Sequence, residues 1–199
     1  MDADPAYQGD MKGRIGPATE LRTGELVVVT EDVWGSPVQL SIGADGSEAV
    51  RTQGEPCEAW QAMHHGDSLR SLRTLFPHAT VQVFGTMIPT QDGFHYGLTE
   101  PRVRWSRLLV QSRALRVGTE VPLVLWSDWV PILYIGPFDR DRMAAFAEGS
   151  ERVSGYALHP RRGIVVEPAT PRLSATGRPL VYPMGNPHLE AAPKRRIHR

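Results

Sequence analysis

The stretch that most constrains the fold of this chain is Gly24–Ser36, where an apolar segment runs directly into a tight turn. Its three consecutive valines, Val27, Val28 and Val29, are β-branched and show no alternation with polar residues. Such a run is typical of a strand that is covered on both faces, so we predict a core strand over Glu25–Glu31. We expect the turn that follows this strand to lie at a pocket.

The composition is that of an ordinary soluble domain. The chain has 199 residues, of which 41% are hydrophobic and 22% charged, and its formal net charge is zero. One domain of this size can bury a sizeable core. Because no overall field would attract nucleic acid, RNA binding would need a local patch of arginines. Cys57 is the only cysteine, which excludes a disulfide within the chain and fits a reducing compartment.

The N-terminus is acidic and lacks the apolar region of a signal peptide. The longest apolar stretch, Val121–Ile135, is interrupted by Ser127, Asp128 and Pro131, so it is not expected to cross a membrane. We therefore predict a cytoplasmic protein. Its expected organisation is a flexible leader over residues 1–20, a domain over 21–185 and a basic tail over 186–199.

Turn formers and apolar periodicity divide the domain into short elements. The further predicted strands are Pro37–Ile42 and Glu48–Thr52, which form a hairpin, then Ala79–Gly85, Val103–Val110, Val121–Trp126, Gly163–Glu167 and Arg178–Tyr182. Two helices are predicted, Asp67–Phe76 and Asp139–Gly149, each with its first aspartate as N-cap and the second ended by its glycine. Strands outnumber helices and regular helical crossovers are lacking, so we predict an α+β fold with mainly antiparallel sheets.

The turn after the first strand, Glu31–Ser36, resembles the first motif of the ATP-dependent RNA ligases, Glu-Lys-x-x-Gly-Thr/Ser. Later stretches resemble further motifs of that family in the same order: Val81–Gly97, Arg102–Leu109, Val130–Gly149 and Arg162–Pro168. The resemblance covers about residues 19–185. It implies an adenylyltransferase core of the ATP-grasp-like or RNA-ligase type. In the family, a lysine takes AMP from ATP with the help of Mg²⁺.

The chain departs from the family at the positions that carry the family's catalytic and ligand-binding residues. Asp32 stands in place of the nucleophilic lysine, and Thr86 in place of the glutamate that contacts the ribose. Arg162 replaces a glutamate that helps to hold the metal, and Glu167 replaces a basic residue. The segment resembling the fifth motif, Gly177–Tyr182, contains no lysine. A carboxylate cannot attack the α-phosphorus as an amine does.

The other residues of the expected pocket are aromatic or structural. Trp105 is placed by the resemblance near the position where the family stacks the adenine. Trp34 could stack on a base or could fill the emptied pocket. The nucleotide-pocket positions are therefore Glu31, Asp32, Trp34, Gly35, Thr86, Trp105, Arg162 and Glu167, with no catalytic residue and no metal ligand among them.

Two of the replacements reverse the sign of the charge, at Asp32 and at Arg162. We hypothesise that these two side chains pair, since a buried charge needs a partner. The alternative is that each side chain points to water. Arg102, Arg104 and Arg107 lie on one strand-like segment, where they would either contact RNA phosphates or lie on a solvated sheet face.

The sequence thus predicts a degenerate RNA-ligase domain that binds a nucleotide, RNA or a protein partner without catalysis. The alternative is an active ATP-dependent RNA ligase that seals RNA ends by AMP transfer and uses ATP and Mg²⁺. A third possibility is a structural subunit that docks a repair enzyme. The only lysines, Lys12 and Lys194, lie in the leader and in the tail, so neither is placed to replace the missing nucleophile.

Overall fold

The computed structural model describes residues 20–52, 55–56, 66–88, 96–115, 120–121, 128–175, 177 and 179–190. In chain order, its elements are β1 (Leu26–Glu31), β2 (Ser36–Ile42), β3 (Glu48–Thr52), β4 (Glu55–Pro56), α1 (Gly66–Leu75), β5 (Val81–Ile88), β6 (Arg102–Val110), β7 (Arg113–Leu115), β8 (Ile132–Pro137), α2 (Arg140–Ala147), β9 (Gly163–Pro168), β10 (Tyr182–Gly185) and α3 (Pro187–Glu190). All pairings between these strands are antiparallel. The predicted α+β class is therefore confirmed.

The valine run forms an interior strand of a four-stranded sheet with the order β10-β9-β1-β8. Val27 and Val29 are fully buried in a core cluster under α2. Val28 points to the opposite face and is only 4% exposed. Both faces of β1 are thus covered, as the unbroken run of β-branched residues predicted.

Helix α2 covers one face of this sheet. The Asp139 side chain accepts a hydrogen bond from the backbone N–H of Arg142 at 2.8 Å, which confirms the predicted N-cap. Met143 and Ala147 are the fully buried residues of this helix. The helix ends at Ala147 with Glu148 as its C-cap in a right-handed conformation, so the predicted terminating glycine, Gly149, is the first residue after the cap. Gly149 also leaves room for the Arg161 side chain, since a Cβ there would lie 2.8 Å from Nη2.

The second sheet has six strands in the order β4-β3-β2-β5-β6-β7. The predicted hairpin is present as β2 and β3. Leu72 of α1 and the inward residues of β2, β5 and β6 form a second core cluster. A β-bulge interrupts the pairing of β5 with β6 between Phe84 and Gly85. Such a bulge changes which side chains of the strand point to the core.

The first helix and the last strand begin at other residues than predicted. Helix α1 begins at Gly66, so Asp67 lies in its first turn and is not the N-cap. The last strand begins at Tyr182, because the preceding segment pairs elsewhere: Leu180 donates to the Arg172 carbonyl at 2.9 Å. Arg178 and most of the predicted strand Val121–Trp126 lie outside the described residues.

The described structure continues past Gly185, where we placed the end of the domain. Asn186 is fully buried, and its side-chain amide donates to the Arg161 carbonyl at 3.0 Å. Across the described ranges, no helix has the length and apolarity needed to cross a bilayer.

Candidate functional site

The end of β1 places two acidic side chains beside the start of β9. The backbone N–H of Asp32 donates to the Gly163 carbonyl at 3.0 Å, which brings the turn against the neighbouring strand. The Asp32 carboxylate then meets the Arg162 side chain, with 3.2 Å between Oδ2 and Nε. The hypothesised ion pair between the two sign-reversed positions is confirmed.

This ion pair is shielded from water on its acidic side. The Asp32 side chain is 13% exposed and that of Arg162 34% exposed. Burial raises the pKa of Asp32, while the charge of Arg162 acts to lower it. Asp32 is therefore a paired carboxylate, and a protonated or paired carboxylate is a poor nucleophile for phosphorus.

A second ion pair joins the two sheets. Arg107 of β6 and Glu167 of β9 lie 3.3 Å apart between Nη2 and Oε1, and both side chains are nearly buried. Arg104 is similarly engaged: it donates to the Val153 carbonyl at 3.0 Å and lies 3.8 Å from Asp128. The solvated-face reading is therefore wrong for Arg104 and Arg107, and among the three arginines only Arg102 is exposed.

Glu31, the last residue of β1, is buried. Its Oε2 accepts the backbone N–H of Arg152 at 2.8 Å, while its Oε1 is buried without a hydrogen-bond partner. Burial raises the pKa of Glu31 to about 7. Arg161 also has buried polar atoms without a hydrogen-bond partner, namely the donors Nε and Nη1. The two opposite charges attract each other without forming a direct hydrogen bond.

The remaining predicted pocket residues do not converge on one binding surface. Trp105 is 1% exposed and packs in the core cluster of the six-stranded sheet, so its ring offers no face to a base. Thr86 places its methyl group against Gly35, where a Cβ would collide with the Met87 carbonyl oxygen. Trp34 is half-buried and belongs to neither core cluster; its backbone N–H donates to the Tyr96 hydroxyl at 3.0 Å.

The sequence reasoning missed the loop of residues 150–160, which lies beside these groups. Its ends are joined by a bridge between Ser150 and Pro160. The Glu151 side chain is fully buried and accepts hydrogen bonds from the backbone N–H groups of Ser154 and Leu158, each at 2.9 Å, and from the Ser154 hydroxyl. The only sequence signal for this arrangement was that Glu151 lies three residues before Ser154 and that Gly155 follows.

The residues present do not fit ATP and Mg²⁺ in the place that the family resemblance implies. Asp32 and Glu167 put negative charge where the family carries basic residues, and the guanidinium of Arg162 stands in place of a metal-binding carboxylate. Nowhere in the described residues do three His, Cys, Asp or Glu side chains come together in a way that could hold a metal. Cys57 lies outside the described residues.

A search of solved structures finds the same architecture in an RNA ligase. The Naegleria gruberi RNA ligase with pyrophosphate superposes with a TM-score of 0.65 at 17% identity, over 84% of this chain and 52% of that one. A variant of that enzyme with AMP and manganese gives 0.66 at 17% identity, over 87% and 54%. A variant with ATP and manganese gives 0.65 at 17% identity, over 84% and 52%. The chain has the fold of an RNA ligase.

At 17% identity this likeness establishes the RNA-ligase fold alone. The chain spans about half the length of these ligases. No protein-family model matches the sequence, and no curated protein does. Within this RNA-ligase-like fold, the Asp32–Arg162 pair lies at the end of β1, where the sequence resembles the family's first motif.

Proposed function

We propose that this chain is a non-catalytic RNA-ligase-like domain that binds single-stranded RNA. The proposed lack of catalysis rests on the ion pair of Asp32 with Arg162. A lysyl-AMP mechanism needs a free amine at the first of these positions. The chain has a carboxylate there, and that carboxylate is already paired with a cation.

The exposed arginines of the described chain suit a polyanion better than a magnesium triphosphate. Glu31 and Glu151 are buried and hydrogen-bonded to backbone N–H groups, so they present little negative charge to the surface. Arg102 and Arg152 are exposed, and the guanidinium of Arg162 is partly accessible. Exposed arginines bind phosphate oxygens of RNA without reading its sequence. The fold, shared with an RNA ligase, supports the same class of ligand.

The first test is covalent adenylylation. Purified protein is incubated with α-³²P-ATP and Mg²⁺ and separated under denaturing conditions, with an active ATP-dependent RNA ligase as positive control. We expect no label on the chain, because no amine replaces Asp32. A stoichiometric label would overturn the proposal and establish the alternative, an active ligase.

The second test is RNA binding without chemistry. Fluorescence anisotropy of an end-labelled 20-nucleotide single-stranded RNA is titrated with protein at two salt concentrations. We expect saturable binding that weakens as salt rises, since released counterions drive arginine–phosphate contacts. Absence of binding at about 100 μM protein in low salt would refute the RNA-binding half of the proposal, because even non-specific sites reach this range.

A further inference from the structure

We infer that Tyr156, at the tip of the 150–160 loop, is an aromatic platform on which one base of a single-stranded RNA stacks. The inference rests on the proposed RNA binding and names the contact that would hold the strand. Tyr156 is 82% exposed, more than any other large apolar side chain of the described chain. The whole ring is therefore accessible, and burying a tyrosine ring against a ligand would be favourable.

The backbone around Tyr156 is held in one conformation. Its neighbours Gly155 and Ala157 both have positive φ, at 80° and 53°. A left-handed alanine costs free energy, so it persists only where the surroundings impose it. The buried Glu151 carboxylate imposes it by accepting from Ser154 and Leu158 on both sides of the tip. The Ser154 hydroxyl in turn accepts the backbone N–H of Tyr156 at 2.9 Å.

The base of the loop is fixed to the body of the domain. Val153 is buried in the core, and its carbonyl accepts a hydrogen bond from Arg104. Leu158 lies against Gly97, where a Cβ would come within 2.9 Å of Cδ1. The His159 ring packs against Tyr96 with centroids 5.2 Å apart. Tyr156 is therefore presented on a supported loop, which lowers the ordering cost of binding.

The 150–160 loop and the residues after it also carry exposed positive charge. Arg152, four residues before Tyr156, is exposed, while its backbone N–H anchors the loop to Glu31. Arg162 follows the loop and is 34% exposed at its side chain. Proteins bind single strands by combining aromatic rings that stack on bases with cations that bind the phosphates, and this part of the chain supplies both kinds of side chain.

The neighbours of Tyr156 favour a nucleobase over a protein partner. Gly155 and Ala157 are small, so the planar ring is free of bulky flanking side chains. The nearest exposed apolar side chain in sequence is Leu158, at 51%. A protein-binding hot spot is enclosed by further contacts that exclude water, whereas a base needs only the ring face.

The test compares variants of the full chain in the anisotropy titration. Tyr156→Ala should weaken binding of the 20-nucleotide RNA about tenfold, a typical loss for one stacked base. Tyr156→Phe, which retains the ring, should bind within about twofold of wild type, and Tyr156→Leu, which keeps apolar bulk without a π-face, should resemble the alanine variant. Leu173→Ala is the matched control, because Leu173 is 62% exposed in another part of the chain and should have no effect.

A spectroscopic readout separates stacking from general attraction. RNA carrying a single 2-aminopurine should lose fluorescence on binding wild type and keep it with Tyr156→Ala. Arg152→Gln should instead lower the salt slope by about 0.7, the value for one phosphate contact of a single strand. If wild type and Tyr156→Ala have equal RNA affinity and equal quenching, Tyr156 is not a stacking platform, although the chain still binds RNA. If wild type binds no RNA, the proposed function fails as well.

Discussion

Arg107 on β6 and Glu167 on β9 form an ion pair that joins the six-stranded sheet to the four-stranded sheet, 3.3 Å apart between Nη2 and Oε1. Their side chains are 13% and 11% exposed. In the resemblance to RNA ligases, Glu167 holds the place of a basic residue. The chain thus uses this position for contact between its own sheets.

Removing one member of this pair should be costly. Arg107→Met or Glu167→Leu leaves a nearly buried charge without its partner, and we expect a loss of about 3–5 kcal/mol in the free energy of unfolding. The double variant should recover much of this loss, since neither charge remains. Urea denaturation of the four proteins measures the coupling. Arg113→Ala, at an exposed pair with Glu120, is the control and should cost less than about 1 kcal/mol. Additive single losses would contradict a direct coupling.

The buried Glu31 predicts that the protein loses stability as pH rises. Its pKa is about 7 in the folded state against an ordinary value of 4.5, so the folded state binds the proton more tightly. Its contribution is complete below pH 4.5 and is lost as pH rises to 7, in total about 3 kcal/mol. Asp32, whose pKa is also raised by burial, acts in the same direction. Glu31→Gln should flatten the decline measured by urea denaturation between pH 5 and pH 8.

Glu25→Gln is the control for this pH dependence. A side-chain hydrogen bond from Arg172 lowers the pKa of Glu25, so its contribution changes below pH 4.5. The decline between pH 5 and pH 8 should therefore persist in that variant. If Glu31→Gln declines as steeply as wild type over the same range, Glu31 is not the group that takes up the proton.

The Glu151 carboxylate should determine the order of the 150–160 loop. In Glu151→Gln, one acceptor oxygen becomes an amide donor, so the hydrogen bonds from Ser154 and Leu158 cannot all be kept. We expect a loss of about 1–3 kcal/mol and faster hydrogen exchange at the amides of Ser154 and Leu158. The exposed Glu148→Gln is the matched control. Unchanged protection at both amides would show that the loop is held by other contacts.

Gly35 should tolerate no side chain, because neighbouring atoms occupy the position of a Cβ. A Cβ there would meet the Met87 carbonyl oxygen, so Gly35→Ala should cost about 3 kcal/mol or more by thermal or urea unfolding. Gly46→Ala separates this collision from backbone strain, because Gly46 also has a positive φ, of 82°, but open space around it. Its expected cost is about 1 kcal/mol. Equal losses in the two variants would mean that strain alone accounts for Gly35.

Local chemistry determined much of the fold. The valine run predicted β1 because only a strand covered on both faces buries three consecutive β-branched residues. The Asp139 cap and the apolar residues after it predicted α2 for the same kind of local reason. The pairing of Asp32 with Arg162 was one of two alternatives that the sequence left open, and the ion pair in the structure decided between them.

Only the tertiary structure decided which side chains of β6 meet the rest of the domain. In a regular strand, Trp105 and Arg107 would share one face and Leu108 the other. The bulge opposite Phe84 and Gly85 changes that alternation, so Trp105 and Leu108 both enter the core and Arg107 reaches Glu167. The partner of Glu151 and the exposure of Tyr156 likewise depend on how a loop folds back on itself. Periodicity in the sequence records local alternation, and it carries no information about a register shift that a neighbouring strand imposes.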